Sequence, residues 1–525
     1  MEMLRKLPIG VQDFEKLRVG GFIYVDKTEY IYRLVQSGAP YFLSRPRRFG
    51  KSLLLSTLKA YWEGKKELFK GLAIEKLSES DTEAFTPHPV LYFDMNKENF
   101  QADMALENVL DEHLRIWENE YELVPGNETL AARFRRVIEK AYEVSGRSVV
   151  VLVDEYDKPL LEVMSDDELE EHNKAVFKGF FSTLKSYDRY LKFVFFTGVT
   201  KFSKVSIFSD LNQLQDISFD GDYAGICGIT ENELLDNFKP EINKLSDDRK
   251  LSTEGCLNKL KKMYDGYHFY PWSSGIYNPF SLLNALQKRS FGMYWFSTGT
   301  PTFLVKKLKS IDFDPEQITD GTLYSDINSL SDYRGDDPNP LPLLYQTGYL
   351  TITDFDERRG RATLGYPNDE VKYGFLESLA PVYLHDTEGR TGVDIFTIDE
   401  HIETGNVEGV MDILSSLYAR LPYTTDERPL EQNFQNVIYI VFTMLGKFVH
   451  TEIHSAKGRA DVIVETDDYI YIFEFKRDKT AEEALAQIED MSYAAPYKAD
   501  SRTLYKIGVN FNSAERVLDG WKVQI

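Results

Sequence analysis

The sequence predicts an α/β multidomain protein, and three observations carry that reading. Over residues 1–225, short and almost wholly apolar β-rich runs alternate with longer helical stretches. Strands of that kind are buried on both faces, as in a parallel sheet with helices on both sides. Over 226–395 the text turns mostly helical, and over 396–525 strand-like runs gather around a further helix. At roughly 150 residues per domain, a chain of 525 residues is also too long for one core.

In the first region strands are expected at Tyr41–Ser44, Val90–Asp94, Val149–Val153 and Lys192–Phe196, with a fifth at Asp216–Phe219. Helices at Asp103–Glu120, Thr129–Val144 and Asp166–Ser186 lie between them. The middle region opens with Thr230-x-x-Glu233, a capping box. It holds two loop clusters, Tyr270–Asn278 and Arg334–Pro340. A short helix and a two-stranded hairpin follow in LLYQTGYLTITDF and RATLGYPN, which fits a winged-helix-like unit. The last region reads as helices Glu400–Leu421 and Leu430–Gly446, then strands Val449–Ile453, Ala460–Glu465 and Tyr469–Lys476. Helix Ala481–Tyr493 and strands Tyr505–Phe511 and Trp521–Ile525 complete it.

Composition narrows the function. Lys and Arg number 61 against 84 Asp and Glu, a formal charge of −23, which excludes holding nucleic acid by bulk positive charge. Two cysteines, Cys227 and Cys256, cannot build a disulfide framework. No apolar run reaches the ~18 residues of a membrane span, and MEMLRKLPIGVQDFEK has no signal-peptide core. A cytoplasmic protein with no membrane partner is expected.

Tyr41–Ser44 runs into Arg45-Pro46-Arg47-Arg48-Phe49-Gly50-Lys51-Ser52 and then an apolar helix. Strand, Gly-Lys-Ser and helix form a P-loop context. Gly50 lets backbone N–H groups approach a phosphate, and the helix N-terminus favours the anion. Lys51 would reach the phosphates and Ser52 would ligate Mg²⁺. Arg45 stands where the usual pattern has glycine, but arginines at 45, 47 and 48 are costly to cluster without an anion among them. Val149–Val153 ends in Asp154-Glu155-Tyr156-Asp157, so a buried strand delivers acids to the edge where α/β sheets bind ligands. Asp154 would hold Mg²⁺ and Glu155 would orient or deprotonate water. Thr197 and Thr200, at the tip of the next strand, are both candidates to sense the terminal phosphate.

A second constellation lies near the C-terminus. Between Asp461 and Glu474 the chain reads VIVETDDYIYIF. A hairpin turning at Asp467-Asp468 sets Asp461 directly opposite Glu474, with Cβ atoms ~4.5–5.5 Å apart. Two carboxylates so placed repel unless a cation is shared. Lys476 points to the same face as Glu474, and Arg459 is its cross-strand partner in that register. Carboxylates holding Mg²⁺, with a lysine to stabilise phosphate charge, suit phosphodiester hydrolysis. Gln487 can orient the lysine or the water. His450 and His454 sit in strand-like text unsuited to a shared helix face, and His268 reads as packing.

These residues carry a resemblance. LPIGVQDFEKLRVGGFIYVDKTEYIYRL…YFLSRPRRFGKSLLLSTL, VDEYDKP, TGVTKFSK, YDGYHF, YNPFSLL, STGTP, LLYQTGYL and LGYPN resemble the AAA-ATPase-like proteins fused to a C-terminal nuclease-type domain. The resemblance covers nearly the whole chain. It implies a P-loop ATPase sheet in which a sensor strand separates the acidic strand from the loop strand. It makes RPRRFGKS the family's usual form of the Walker A loop, with VDEYD as the Walker B strand, and it adds Tyr24–Thr28 as a segment ahead of the nucleotide loop. Gly458-Arg459-Ala460-Asp461, Glu474-Phe475-Lys476, Gln487 and Tyr493 resemble the core of a PD-(D/E)XK restriction-endonuclease-like domain. That likeness implies Asp461 as first metal ligand and Glu431 as completing the acidic cluster.

The expectation is an ATP-binding, ATP-hydrolysing protein coupled to a Mg²⁺-dependent nuclease acting on DNA. The alternative is a nucleotide-dependent switch or scaffold whose nuclease-like domain only binds nucleic acid or a partner, as in a defence or mobile-element system. A homo-oligomer or a partner protein is left open.

Overall fold

Five runs of the first region pair as a wholly parallel sheet: β1 (Pro40–Ser44), β2 (Val90–Asp94), β3 (Val149–Asp154), β4 (Leu191–Gly198) and β5 (Gln215–Asp216). The computed structural model describes residues 5–38, 40–124, 126–164, 166–202, 214–298, 304, 308, 316–319, 321–331, 333, 339–383, 391–419, 430–446, 450–453, 461–515 and 517–525. Two compact units emerge, 1–299 with 324–370, and 300–323 with 371–525. The middle region expected at 226–395 is therefore apportioned between both.

In the first unit the strand order is β2-β3-β4-β1-β5. β4 lies between the acidic strand and the loop strand, as the resemblance implied. All six residues of β3 are buried, which is why that run carries no polar alternation. β5 is shorter than expected. Ser218 Oγ, not a backbone carbonyl, accepts the Ser44 N–H at 2.8 Å, and Asp216 Oδ1 takes the Ser218 N–H at 2.9 Å, so a side-chain turn ends the ladder. Helices Ala105–Glu120, Leu130–Ser145 and Asp167–Phe181 follow the expected text. Thr129 and Asp166 cap the second and third by accepting backbone N–H groups.

The capping box at Thr230 and Glu233 forms as read and opens helix Glu231–Arg249. The expected short helix is Leu341–Gln346, followed by the antiparallel hairpin β9 (Thr351–Asp356) and β10 (Arg361–Gly365). It gains a third strand, β8 (Tyr324–Asp326), paired to β10; the remaining short pair is β6 (Ile229–Thr230) with β7 (Ile276–Tyr277). Of the loop cluster Arg334–Pro340, residues 334–338 lie outside the described positions.

The second unit holds a mixed sheet ordered β11-β12-β13-β14-β15. Its strands are β11 (His450–Ile453), β12 (Val462–Glu465), β13 (Tyr469–Arg477), β14 (Thr503–Asn512) and β15 (Val517–Gln524). Only β13 and β14 run parallel, joined by helix Ala481–Asp490. That helix stops short of Tyr493 because Ser492 turns left-handed at φ 55°. The span expected as one helix at Glu400–Leu421 is two, Thr391–Glu403 and Val407–Ala419, parted at Gly405 with φ 72°. One sheet face packs Val464, Tyr471, Phe473 and Val509 beneath these helices and helix Leu430–Leu445. The other packs Ile463, Ile470 and Ile472 against Ile488 and Tyr493. This two-sided burial is the period-2 alternation of the strands made physical. Among the described residues no helix is long and apolar enough to cross a membrane.

Candidate functional site

The loop after β1 is a short string of backbone constraints. Arg48 (φ 67°) and Gly50 (φ 100°) turn left-handed, and helix Lys51–Trp62 starts at the next residue. A Cβ on Gly50 would meet nothing within 4 Å, so glycine is needed for its conformation and not for space. The Arg45 N–H bonds Gly198 O at 3.1 Å, and Gly228 N–H bonds Phe49 O at 3.0 Å. Trp295 Nε1 donates to Arg47 O at 3.1 Å, while its own N–H donates to the buried Glu370 at 2.7 Å. Burial pushes the Glu370 carboxyl up to about 7. Gly348 sits so near Pro46 that a Cβ there would lie 2.8 Å from its ring, which explains that glycine after the short helix. Lys51 Nζ donates to Arg45 O at 2.9 Å and Pro46 O at 3.2 Å.

Arg45 is placed differently from the other loop cations. It is 1% exposed, and its guanidinium donates to Ser44 O, Ser218 O and Tyr223 O while lying 4.1 Å over the Phe269 ring. Its side chain is committed to the sheet edge. Only its carbonyl meets Lys51.

At the tip of β3, Asp154 accepts from Thr197 Oγ1 at 2.7 Å and from Tyr92 OH at 3.2 Å. Glu155 is left-handed (φ 51°), and burial raises its carboxyl against the opposing pull of Lys51. The two threonines that sequence left open go to different acids. Thr200 donates through N and Oγ1 to Asp157 Oδ2 at 2.6 and 2.9 Å, and Val199 N–H adds a third bond at 2.9 Å. Asp157 was not singled out, although it is the third acid of DEYD. A Cβ on Gly198 would stand 2.7 Å from Asp157 Oδ1, so the threonine–glycine pair at the end of β4 makes room for that carboxylate.

These elements border one cavity of about 400 Å³, within the usual range for small-molecule sites. Arg47, Arg48, Phe49, Gly50, Lys51, Ser52, Glu155 and Asp157 line it, and so do apolar Ile9, Val11, Val25, Phe238, Phe280 and Leu283. Asp154, Thr197 and Arg45 are not among the lining residues; the first two form a bonded pair at the sheet edge. The N-terminal stretch Pro8–Gln12 also lines the cavity, and nothing in its composition announced that. In the Tyr24–Thr28 segment, Lys27 is bound by both Glu233 oxygens at 2.6 and 2.7 Å and by Gly225 O at 2.7 Å, while Asp26 bonds Thr28 and Ala73 N–H. This arrangement offers loop N–H groups and cations for an anion, an apolar wall for a ring, and a raised carboxylate between them.

In the second unit the hairpin register is the expected one. Val462 pairs with Phe473 and Glu465 with Ile470, and Thr466 N–H bonds Tyr469 O across Asp467-Asp468. Asp461 Oδ2 accepts the Phe475 N–H at 2.7 Å. Glu474 is 1% exposed, and its Oε1 takes the Lys476 ammonium at 2.5 Å. Its Oε2 is buried with no hydrogen-bond partner among the described residues. Burial, with Asp461 beside it, pushes the Glu474 carboxyl up to about 7; burial also raises Asp461. A buried acid with an unsatisfied oxygen and a half-buried acid beside it form a donor set that fits a hard divalent cation.

Gln487 lies on the helix that packs against β13 and β14, and its Nε2 donates to Tyr493 OH at 3.3 Å. Gly508, the register partner of Glu474, was overlooked. A Cβ there would fall 2.3 Å from Ala481 O, so this glycine lets the helix lie directly on the sheet beside Glu474. Gly458, Arg459, Ala460 and His454 lie outside the described residues, as do the side chains of Glu431 and His450. Among the described residues no cluster of three or more metal-binding side chains forms. His268 is a packing residue, its Nδ1 2.8 Å from Ser273 O.

The sequence matches the predicted AAA-ATPase family over residues 8–208 and the PD-(D/E)XK nuclease superfamily over 430–521. It is 35% identical to an uncharacterized protein in the vnfD 5′ region of Azotobacter chroococcum mcd 1, and the alignment covers 99% of each chain.

Proposed function

Since the chain belongs to the family of predicted AAA-ATPases that carry a C-terminal PD-(D/E)XK domain, we propose that it hydrolyses ATP and couples this to Mg²⁺-dependent cleavage of DNA. The observation that carries the first half is one cavity lined jointly by Lys51, Ser52 and Glu155. The loop N–H groups, Lys51, Arg47 and Arg48 would bind the phosphates, and the apolar wall the base. Ser52 and Asp154 would hold Mg²⁺, with Thr197 and Tyr92 keeping Asp154 oriented. Bound there, the ion would neutralise phosphate charge. Glu155, raised by burial, accepts the proton of the attacking water more readily than an ordinary carboxylate.

On the C-terminal face Asp461 and Glu474 would hold Mg²⁺, with Glu431 as a further ligand. Lys476 would stabilise charge on the phosphodiester, and Gln487 would position it or the water. ATP turnover should be lost in Lys51→Ala and in Glu155→Gln, and DNA cleavage in Asp461→Ala. Unchanged turnover in both loop variants would remove the ATPase assignment, and unchanged cleavage in Asp461→Ala the nuclease assignment.

The Lys476–Glu474 pair favours a second reading, a scaffold whose acid face is neutralised internally. Titration with Mn²⁺ separates the two. A scaffold binds none at Asp461 and Glu474.

A further inference from the structure

Lys158 is a cation that the proposed chemistry leaves unused. It lies on the segment that also carries the acids. Glu155 turns left-handed at the end of β3, and Lys158 N–H bonds Glu155 O at 3.0 Å to close the turn. Pro159 follows as part of a short helix, Lys158–Leu161. Lys158, Asn96 and Glu162 line the same cavity as Lys51, Ser52 and Glu155.

The topology explains why these residues meet. β2 neighbours β3, and Asp94 pairs in register with Asp154. Asn96, two residues past Asp94, therefore stands beside the turn that follows Asp154. Its Oδ1 accepts the Lys158 ammonium at 2.7 Å, and its own N–H is held by Asp94 Oδ1 at 2.9 Å. Glu162 stands farther off, at 3.7 Å, and its other oxygen takes the Phe100 N–H at 3.0 Å. An ammonium has three N–H donors. Among the described residues, Asn96 is the one partner of Lys158 within hydrogen-bond distance. The side chain keeps 20% of its exposure.

Charge gives the placement its meaning. Lys51 rises from the loop after β1, whereas Lys158 follows β3, with β4 between those two strands. The carboxylates Asp154, Glu155 and Asp157 belong to the Lys158 side. An anion drawn in by the loop meets repulsion from those acids, and that repulsion is largest for the phosphate farthest from the base. Lys27 cannot offset it, because Glu233 and Gly225 hold its ammonium. Of the cations lining the cavity, Lys158 is the one carried by the acid-bearing segment.

We propose that Lys158, held in place by Asn96, binds the terminal phosphate from the acid side and so lets the site distinguish nucleoside triphosphate from diphosphate. This rests on the ATPase reading and adds a specificity determinant to it. No bond is made or broken by Lys158. Its charge offsets that of the terminal phosphate in the ground state and more strongly as charge moves during transfer.

The test compares affinities of the full-length protein for fluorescent mant-ATP and mant-ADP with Mg²⁺ present. Lys158→Ala is expected to weaken mant-ATP by about ten-fold or more and mant-ADP by less than about two-fold. Lys158→Arg should restore part of the difference, and Asn96→Ala should lose part of it. A residue that only holds its helix would weaken both nucleotides alike or neither. An ATP-to-ADP affinity ratio within two-fold of the wild type in Lys158→Ala overturns the proposal. So does an unchanged ratio in a folded Lys158→Gln should the alanine variant fail to fold, since glutamine keeps much of the side chain's length and removes its charge. If the wild type binds nucleotide and loses it in Lys51→Ala while Lys158→Ala keeps the ratio, only the role of Lys158 falls. A wild type that binds neither nucleotide sinks the ATPase reading and this proposal together.

Discussion

Both acidic sites set carboxylates on a strand or just beyond its end, yet they treat them in opposite ways. In the first unit Asp154 and Asp157 are buried and hydrogen-bonded to neighbouring strands and to the turn after β4. Asp154 accepts from two hydroxyls, and Asp157 from two backbone N–H groups and a hydroxyl. In the second unit Glu474 is equally buried, but one oxygen is bare and the other leans on Lys476. The parallel sheet ends in loops whose N–H groups can turn toward an acid. In the hairpin the Phe475 N–H goes to Asp461, and Glu474 is left to a side chain or a cation. The first site is organised before any ligand arrives. The second carries a stored electrostatic cost that a metal ion can relieve.

The largest effect expected from this contrast is at Asp157. Asp157→Ala strips three donors of their acceptor in a buried site and should destabilise the first unit by roughly 3 kcal/mol or more. Asp157→Asn, which keeps one acceptor oxygen, should cost less. Urea unfolding measures both, and a change below about 1 kcal/mol in the alanine variant would break the comparison.

Glu474→Gln should act in the other direction. The Glu474 carboxyl lies at about 7 in the folded chain against an ordinary 4.5. Its contribution to stability is therefore full below 4.5 and is lost as pH rises through about 7. At pH 8 the glutamine variant should be more stable than the parent by roughly 1–3 kcal/mol, and near pH 4 the two should coincide. Thermal unfolding across that range checks the sign. Adding Mn²⁺ at pH 8 should stabilise the parent and not the variant.

A related expectation concerns protons. A metal ion at Asp461 and Glu474 competes with the Glu474 proton, so Mn²⁺ affinity should fall as pH drops below about 7. Calorimetry in buffers of different ionisation enthalpy should show proton release near neutrality. The smallest effect belongs to Trp295→Phe, which removes one bond to the Arg47 carbonyl and should weaken nucleotide binding by about 1 kcal/mol, a few-fold in Kd.

Much of the fold was legible because it is local. Wholly apolar runs located the parallel strands, and Thr230 with Glu233 announced a helix start. The pair Asp467-Asp468 set a hairpin register that carried Asp461 opposite Glu474 without knowledge of anything beyond the hairpin. What escaped was long-range. Arg45 reads as one of three loop cations, yet it faces Ser218 and Tyr223, far along the chain. Nothing near Lys27 reveals that Glu233 holds it. β5 stopped early because a serine side chain intervened, and no propensity records that.

By itself the sequence determined which segments form the strands of the two five-stranded sheets, where the acids sit on them, and which family the chain resembles. Period, turn length and capping act over a few residues and leave their mark in the text. The tertiary structure alone decided which of those charged groups are satisfied and which are left bare. It bound Asp157 to Thr200, turned Arg45 away from the cavity, brought Lys158 to Asn96, and left Glu474 with an empty oxygen. Those outcomes depend on strand order and on partners distant in the chain. The −23 charge is the sum in which these differences vanish; they appear only when each carboxylate is placed beside its partners or beside none.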